Sequence, residues 1–209
     1  MRALSFLMAG DVGIEGLIAR IREASAGKIW WYRAPLSVFF AWLLLRHLRD
    51  PEYSGLFGGL NLAIHEGGHL FFMWFGVDFL TVAAGTLLQC ACPVFAAIMF
   101  YRQRDYFAVT VAMVWLGTNF VGIAPYAADA RSQLLPLVSP FPGASQHDWN
   151  YLLRQLGLLQ LDAQVGRTFR DLGLLTMAGG IAAGGWVLKV MAESTGPKPA
   201  LGPQSQNPS

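Results

Sequence analysis

The chain has 209 residues, 54% of them hydrophobic and 13% charged, with a formal net charge of +2. An ordinary soluble domain carries about 25% charged residues, so the composition excludes that class, and the scattered basic residues exclude a nucleic-acid footprint. What remains is an integral membrane protein, expected to be a multi-pass protein of the cell membrane whose constant partner is the lipid bilayer.

At the N-terminus "ALSFLMAG" is too short for a signal peptide and ends at Asp11, so it is expected to stay attached. Asp11 suits a helix N-cap. Ile14, Leu17, Ile18 and Ile21 follow at helical spacing with Arg20 and Arg22 opposite, which predicts for residues 1–28 an amphipathic helix, lying on the membrane surface or docked on the rest of the protein. In "IWWYRAPLSVFFAWLLL" (29–45), Arg33 and Pro35 interrupt an apolar run, and Trp30, Trp31 and Tyr32 suit the headgroup region. Four longer runs, 53–76, 79–100, 106–127 and 172–191, each approach the ~20 residues that cross a bilayer as a helix.

The predicted fold is all-α: a polytopic membrane helix bundle over 29–192, with about four to six transmembrane helices plus interfacial amphipathic ones. Short connections, "GVDF" and "YRQRDY", make antiparallel hairpins. If every run spans, Arg46 and Arg49 share a face with Arg102 and Arg104, while Arg20, Arg22, Lys28 and Arg33 lie opposite, so charge does not fix the orientation.

The segment 128–171 is longer and more polar. A Pro/Gly/Ser loop leads to "HDWN" and then to a stripe of Trp149, Leu152, Leu153, Leu156 and Leu159, read as an interfacial helix. In the last run Gly180 and Gly184 have the small-xxx-small spacing of closely packed membrane helices. The tail, 193–209, is polar, proline-rich and expected to be disordered. Cys90 and Cys92, two apart on one helix, diverge too far for a disulfide and are read as small packing residues. His47, beside Arg46 and Arg49, reads as an interfacial side chain.

The chemistry concentrates in "NLAIHEGGHLFFMWFG" (61–76). His65 and His69, four apart, lie on one helical face and can reach one Zn²⁺, and Glu66 beside them can activate water. With four histidines and five glutamates in the chain, a chance H-E-x-x-H arises with a probability on the order of two in a thousand. An ionised Glu at membrane depth costs roughly 2.5–3.5 kcal/mol even on lenient scales, and a divalent cation is a partner that offsets it. Gly67 and Gly68 leave room for a substrate backbone or allow close helix packing, as do Gly55 and Gly59.

These residues resemble the intramembrane zinc metalloproteases of the site-2 protease type, which carry H-E-x-x-H on a transmembrane helix. The resemblance covers roughly residues 60–130. It implies a zinc-dependent peptidase cutting a membrane-protein substrate, with Gln89 of "AGTLLQ" standing where many members have an Asn, and with "NFVGIAPYAADAR" the counterpart of the segment that bears the third ligand. On that analogy Asp129 is a candidate ligand, although the spacing from Asn119 is longer than in the family and Ala130 replaces a Gly.

A catalytic zinc takes three protein ligands plus water, so a third is required. The candidates are Asp129 and His147, the latter from the loop before the Trp149 helix. Asp129 has a competing role in an ion pair with Arg131 and His147 as a surface residue, while Asp148 reads as the N-cap of that helix or as a group orienting an imidazole. Gln89 either binds a substrate backbone or ties two helices together. The leading expectation is a peptidase with Glu66 as general base; the alternatives are hydrolysis of an amide or ester in a lipid or envelope molecule, and a non-catalytic module whose metal is closed off by His65, His69, Asp129 and His147.

Overall fold

The computed structural model describes residues 13–135 and 147–195. All regular elements among them are helical: α1 (Ile14–Ser25), α2 (Ala34–Arg49), α3 (Phe57–Phe72), α4 (Asp78–Arg102), α5 (Tyr106–Ala128), α6 (Asp148–Gln155) and α7 (Asp162–Thr195), with 3₁₀ turns at Met73–Phe75 and Leu159–Leu161. Asp11, the loop before His147 and the tail beyond Thr195 lie outside the described residues.

Three helical segments are long and apolar enough to cross a membrane: α4, α5, and α7 with the turn before it (Leu159–Thr195). The runs at 29–45 and 53–76 form helices of 16 residues each, α2 and α3. That is shorter than the ~20 residues a span requires. The run at 172–191 is the inner part of a helix of 34 residues. At 1.5 Å per residue α7 is about 51 Å long, well beyond a hydrocarbon core of about 30 Å. Residues 162–171, read from sequence as part of the polar connection, are its first turns.

α7 packs antiparallel along α5, and glycine decides how closely. A Cβ on Gly173 would lie 2.6 Å from Val121 Cγ2 and 2.8 Å from the Val121 amide; one on Gly166 would lie 2.7 Å from the Ala124 carbonyl. Gly180 and Gly184 meet Thr110 and Val114 on the same seam, as the small-residue spacing predicts. Around it Phe40, Leu43, Val114, Val121 and Met177 form the central core. The expected Gly55 and Gly59 seam does not form: Gly59 faces open space, and Gly55 takes a left-handed turn conformation, φ +59°.

The turn between α4 and α5 fixes one end of the bundle. Asp105 caps α5 by accepting from the Ala108 amide at 3.2 Å and receives both Arg33 guanidinium nitrogens at 2.9 and 3.2 Å. Lys28 donates to the Arg104 carbonyl. Lys28 and Arg33 thus share an end with Arg102 and Arg104 instead of lying opposite, because α2 starts where α4 finishes.

α1 is divided: Ile14 is exposed, whereas Ile21 and Ala24 pack on the Phe107, Val187 and Met191 cluster. α6 differs from expectation. Trp149, Leu152 and Leu153 are buried, and Trp149 and Leu153 pack against Ile123 and Ala127, so most of its apolar stripe faces protein, with Leu156 left exposed. His47 is likewise buried, against Tyr53, because α2 turns that face toward the chain leaving it.

Two predictions follow from the seam and from the turn. Gly173→Ala should destabilise the protein by about 1–3 kcal/mol, the cost of overpacking. Gly179→Ala on the same helix, with nothing within 4 Å of the new Cβ, should be neutral or stabilise by roughly 0.5–1 kcal/mol. Thermal unfolding in detergent distinguishes them.

Desolvation raises the Asp105 carboxyl, but the Arg33 hydrogen bonds and the Ala108 amide outweigh it and hold its pKa below the ordinary 3.8. A carboxylate with a depressed folded pKa stabilises fully above its unfolded pKa and loses that contribution as pH falls through the folded value. Asp105→Ala should therefore lower the apparent Tm at pH 7 by the equivalent of about 1–3 kcal/mol, with the gap from wild type closing below about pH 4.

Candidate metal centre

The spacing of H-E-x-x-H acts through α3, which puts His65 and His69 on one face with ring centroids 4.7 Å apart. That face lies against α4 at very close range. A Cβ on Gly68 would overlap the Ala84 carbonyl, and one on Gly85 would lie 2.7 Å from His65 Nε2 and 2.6 Å from His69 Nε2. Glycine at 68 and 85 therefore serves helix contact and leaves room for the imidazoles. Gly67 has nothing within 4 Å and remains open. Trp115 Nε1 donates to Asn61 Oδ1 at 2.8 Å, fastening α3 to α5.

Each imidazole is oriented through its Nδ1. His69 Nδ1 lies 2.8 Å from the Thr81 carbonyl and His65 Nδ1 2.9 Å from Gln89 Oε1. Both partners are acceptors, so both Nδ1 atoms carry hydrogen, and in the neutral imidazoles each Nε2 presents a lone pair. Gln89 is thus a helix tie that sets a tautomer.

The third group is Asp148. Its Oδ2 lies 2.9 Å from His65 Nε2 and 3.2 Å from His69 Nε2, and these three residues form a group able to hold a metal ion. Three acceptor atoms converging on one another require a shared proton or a cation. Two donors about 2.0–2.1 Å from a tetrahedral zinc stand roughly 3.3 Å apart, close to the observed spacing, and two imidazoles with one carboxylate is an established catalytic zinc set.

Asp129 and His147, the ligands expected from sequence, do not join this group. The Asp129 carboxylate accepts from Ser132 Oγ at 2.6 Å and from the Leu134 and Leu135 amides at 2.9 Å each, binding the chain that leaves α5. Arg131 pairs with Asp162 instead, at 2.8 Å. His147 is buried, not a surface residue. It is the N-cap of α6, the role expected of Asp148: its Nδ1 accepts from the Asn150 amide at 3.2 Å. Its Nε2 faces Asp129 Oδ2 at 3.5 Å, so its tautomer is the opposite of that at His65 and His69.

The one-residue exchange of roles has a local cause. His147 stacks on Tyr126 with centroids 4.4 Å apart, the Asp148 amide donates to the Tyr126 hydroxyl at 3.1 Å, and Asn150 Nδ2 donates to the Ala130 carbonyl at 2.7 Å. With the start of α6 held this way, position 148 points its side chain at α3. Asn119, in the segment compared with the protease family, is fully buried and donates within α5 to the Trp115 carbonyl.

Glu66 is half-buried on α3. No hydrogen bond or ion pair to it occurs among the described residues, and on α3 it stands one residue after His65 and three before His69. It thus stands beside the three converging groups with its carboxylate uncommitted.

Metal content of the purified protein, measured by elemental analysis after zinc loading, should be close to one per chain in wild type and absent in His65→Ala, His69→Ala and Asp148→Ala. Asp129→Ala should retain zinc with affinity lower by about 10–100-fold, the usual cost of removing an outer support. Gly85→Ala, with every ligand intact, should block loading. Retention of zinc by Asp148→Ala together with its loss in Asp129→Ala would reverse the assignment.

Compared with known protein families, with curated proteins and with solved structures, the chain matches none of them.

Proposed function

We propose that the chain is a multi-pass membrane hydrolase of the site-2 protease type, a zinc-dependent peptidase that cuts a membrane-protein substrate. The observation that carries the reading is the convergence of His65 Nε2, His69 Nε2 and Asp148 Oδ2 beside an uncommitted Glu66 carboxylate. A non-catalytic metal site takes four protein ligands. Among the described residues three come together, which leaves a position for a fourth, non-protein group.

When bound, zinc supplies a water with a pKa near 7 and polarises the carbonyl to be attacked. The chain's own residues do the rest. Gln89 and Thr81 hold the two imidazoles in the Nδ1–H tautomer. Asp148 would join their Nε2 atoms as the third metal-holding group through Oδ2. Glu66 takes a proton on its carboxylate and returns it to the leaving amine nitrogen. Open space at Gly67 lets an extended backbone approach α3, which requires a helical substrate to unwind first because its peptide groups are otherwise paired. Exposed Leu62, Leu70 and Phe71 on the same helix present an apolar flank to an amphiphilic substrate. An amide or ester of a lipid or envelope molecule fits that flank as a second reading.

Wild type and Glu66→Gln, reconstituted in liposomes, are to be incubated with a panel of single-span membrane proteins and separately with total lipid extract. Proteolytic fragments should appear with wild type and fall by about 10²–10⁴-fold with Glu66→Gln, while zinc content stays unchanged. Cleavage of lipid alone selects the second reading, and undiminished proteolysis by Glu66→Gln overturns the role of Glu66.

A further inference from the structure

A cavity of about 270 Å³ lies where α5 ends and α7 begins. Val121, Ala124, Pro125 and Gly166 contribute an apolar lining, Pro51 comes from the α2–α3 connection, and the charged groups are Arg167 and Arg170. Three arginines of the bundle are ion-paired and, among the described residues, these two are not. Arg33, Arg104 and Arg131 each face a carboxylate, whereas neither Arg167 nor Arg170 forms an ion pair among the described residues; Arg170 donates only to the Leu48 carbonyl, at 3.4 Å.

Their depth follows from the length of α7. Its strongly apolar stretch begins at Leu172, and Gly173 meets Val121. The turns bearing Arg167 and Arg170 precede that stretch, where a helix of this length reaches headgroup level. The cavity therefore combines an apolar lining that includes Val121 with two arginines, at its headgroup-level end, that form no ion pair among the described residues. That is the shape and polarity of an amphiphile with an anionic head. A guanidinium pairs with phosphate through two parallel hydrogen bonds, and basic pockets between membrane helices select anionic lipid headgroups.

We infer that this groove binds an anionic phospholipid of the surrounding bilayer, its phosphate on Arg167 and Arg170 and the start of an acyl chain against Val121, Ala124 and Pro125. Such a lipid joins the end of α2, the end of α5 and the start of α7. It is separate from the metal centre, and neither assignment depends on the other.

The test uses the full chain in a nonionic detergent, with dioctanoyl phosphatidylglycerol, dioctanoyl phosphatidylcholine and inorganic phosphate as probes, read by native mass spectrometry and by thermal unfolding. Phosphatidylglycerol should bind and raise the apparent Tm, while the other two at equal concentration should not. The double variant Arg167→Gln/Arg170→Gln should weaken phosphatidylglycerol binding at least about tenfold, since one pairing lost is worth more than 1.4 kcal/mol. Ala163→Phe, which fills the groove and keeps both arginines, should weaken it similarly. Equal binding of the two lipids, an equal response to inorganic phosphate, or undiminished phosphatidylglycerol binding in a folded variant overturns the proposal. The wild-type comparison decides alone if a variant does not fold.

Discussion

Three lone pairs, on His65 Nε2, His69 Nε2 and Asp148 Oδ2, face one another across 2.9 and 3.2 Å, and the rest of the bundle is arranged around that confrontation. Without a proton or cation among them the arrangement is repulsive, and in surroundings with little water the repulsion is barely screened. It is held from outside. The Thr81 carbonyl and the Gln89 amide oxygen each claim an Nδ1 hydrogen, so neither imidazole can relieve the conflict by presenting N–H at Nε2 while remaining neutral. Both acceptors belong to α4. The closeness of α3 to α4 at Gly68 and Gly85 is thus a condition for the electrostatics.

The carboxylate arrives by a longer route. Asp148 is distant in sequence from α3, and its placement depends on the end of α5. Asp129 gathers Ser132, Leu134 and Leu135, Ala130 receives Asn150, and Tyr126 offers its ring to His147 and its hydroxyl to the Asp148 amide. Behind them Trp149 and Leu153 are buried against Ile123 and Ala127, which commits α6 to one rotation. Asp129 and His147 act as supports for the third group: the Asp129 carboxylate is satisfied by these neighbours, while His147 accepts at Nδ1 and its buried Nε2 faces Asp129 at 3.5 Å without a hydrogen bond.

This division explains what was legible in the sequence. His65, Glu66 and His69 could be read because their relation is local: four residues on a helix fix a face. The apolar runs forming α4, α5 and the inner part of α7 could be read for the same reason. The third group could not, since it depends on a return across the chain, and Asp129, His147 and Asp148 are chemically interchangeable candidates until the tertiary contacts are known. An aspartate opening a helix ordinarily reads as a cap; here a histidine caps and frees it. Likewise the stripe of α6 identified a buried face without saying whether lipid or protein covers it. The short lengths of α2 and α3 were hidden because the residues before α2, 29–32, and after α3, 73–77, are themselves apolar or aromatic, and hydropathy alone does not mark where helix gives way to turn.

The proposed hydrolysis requires water and an amphiphilic substrate to reach the same atoms from different sides. Fully enclosed in hydrocarbon, the group would lack the first; at a helix end exposed to solvent it would lack the second. The polar chain after α5, with Arg131, Ser132 and Gln133 exposed, lies next to Asp129 and hence near α6. On α3 itself Leu62 and Leu70, one turn either side of Glu66, and Phe71 are exposed. Glu66, half-buried and uncommitted, lies among these apolar side chains. Because α3 is 16 residues long and ends in the Met73–Phe75 turn, the histidines lie within about two turns of its end. A short helix thus places His65 and His69 near its end, where the Thr81 carbonyl of α4 and Asp148 of α6 reach them.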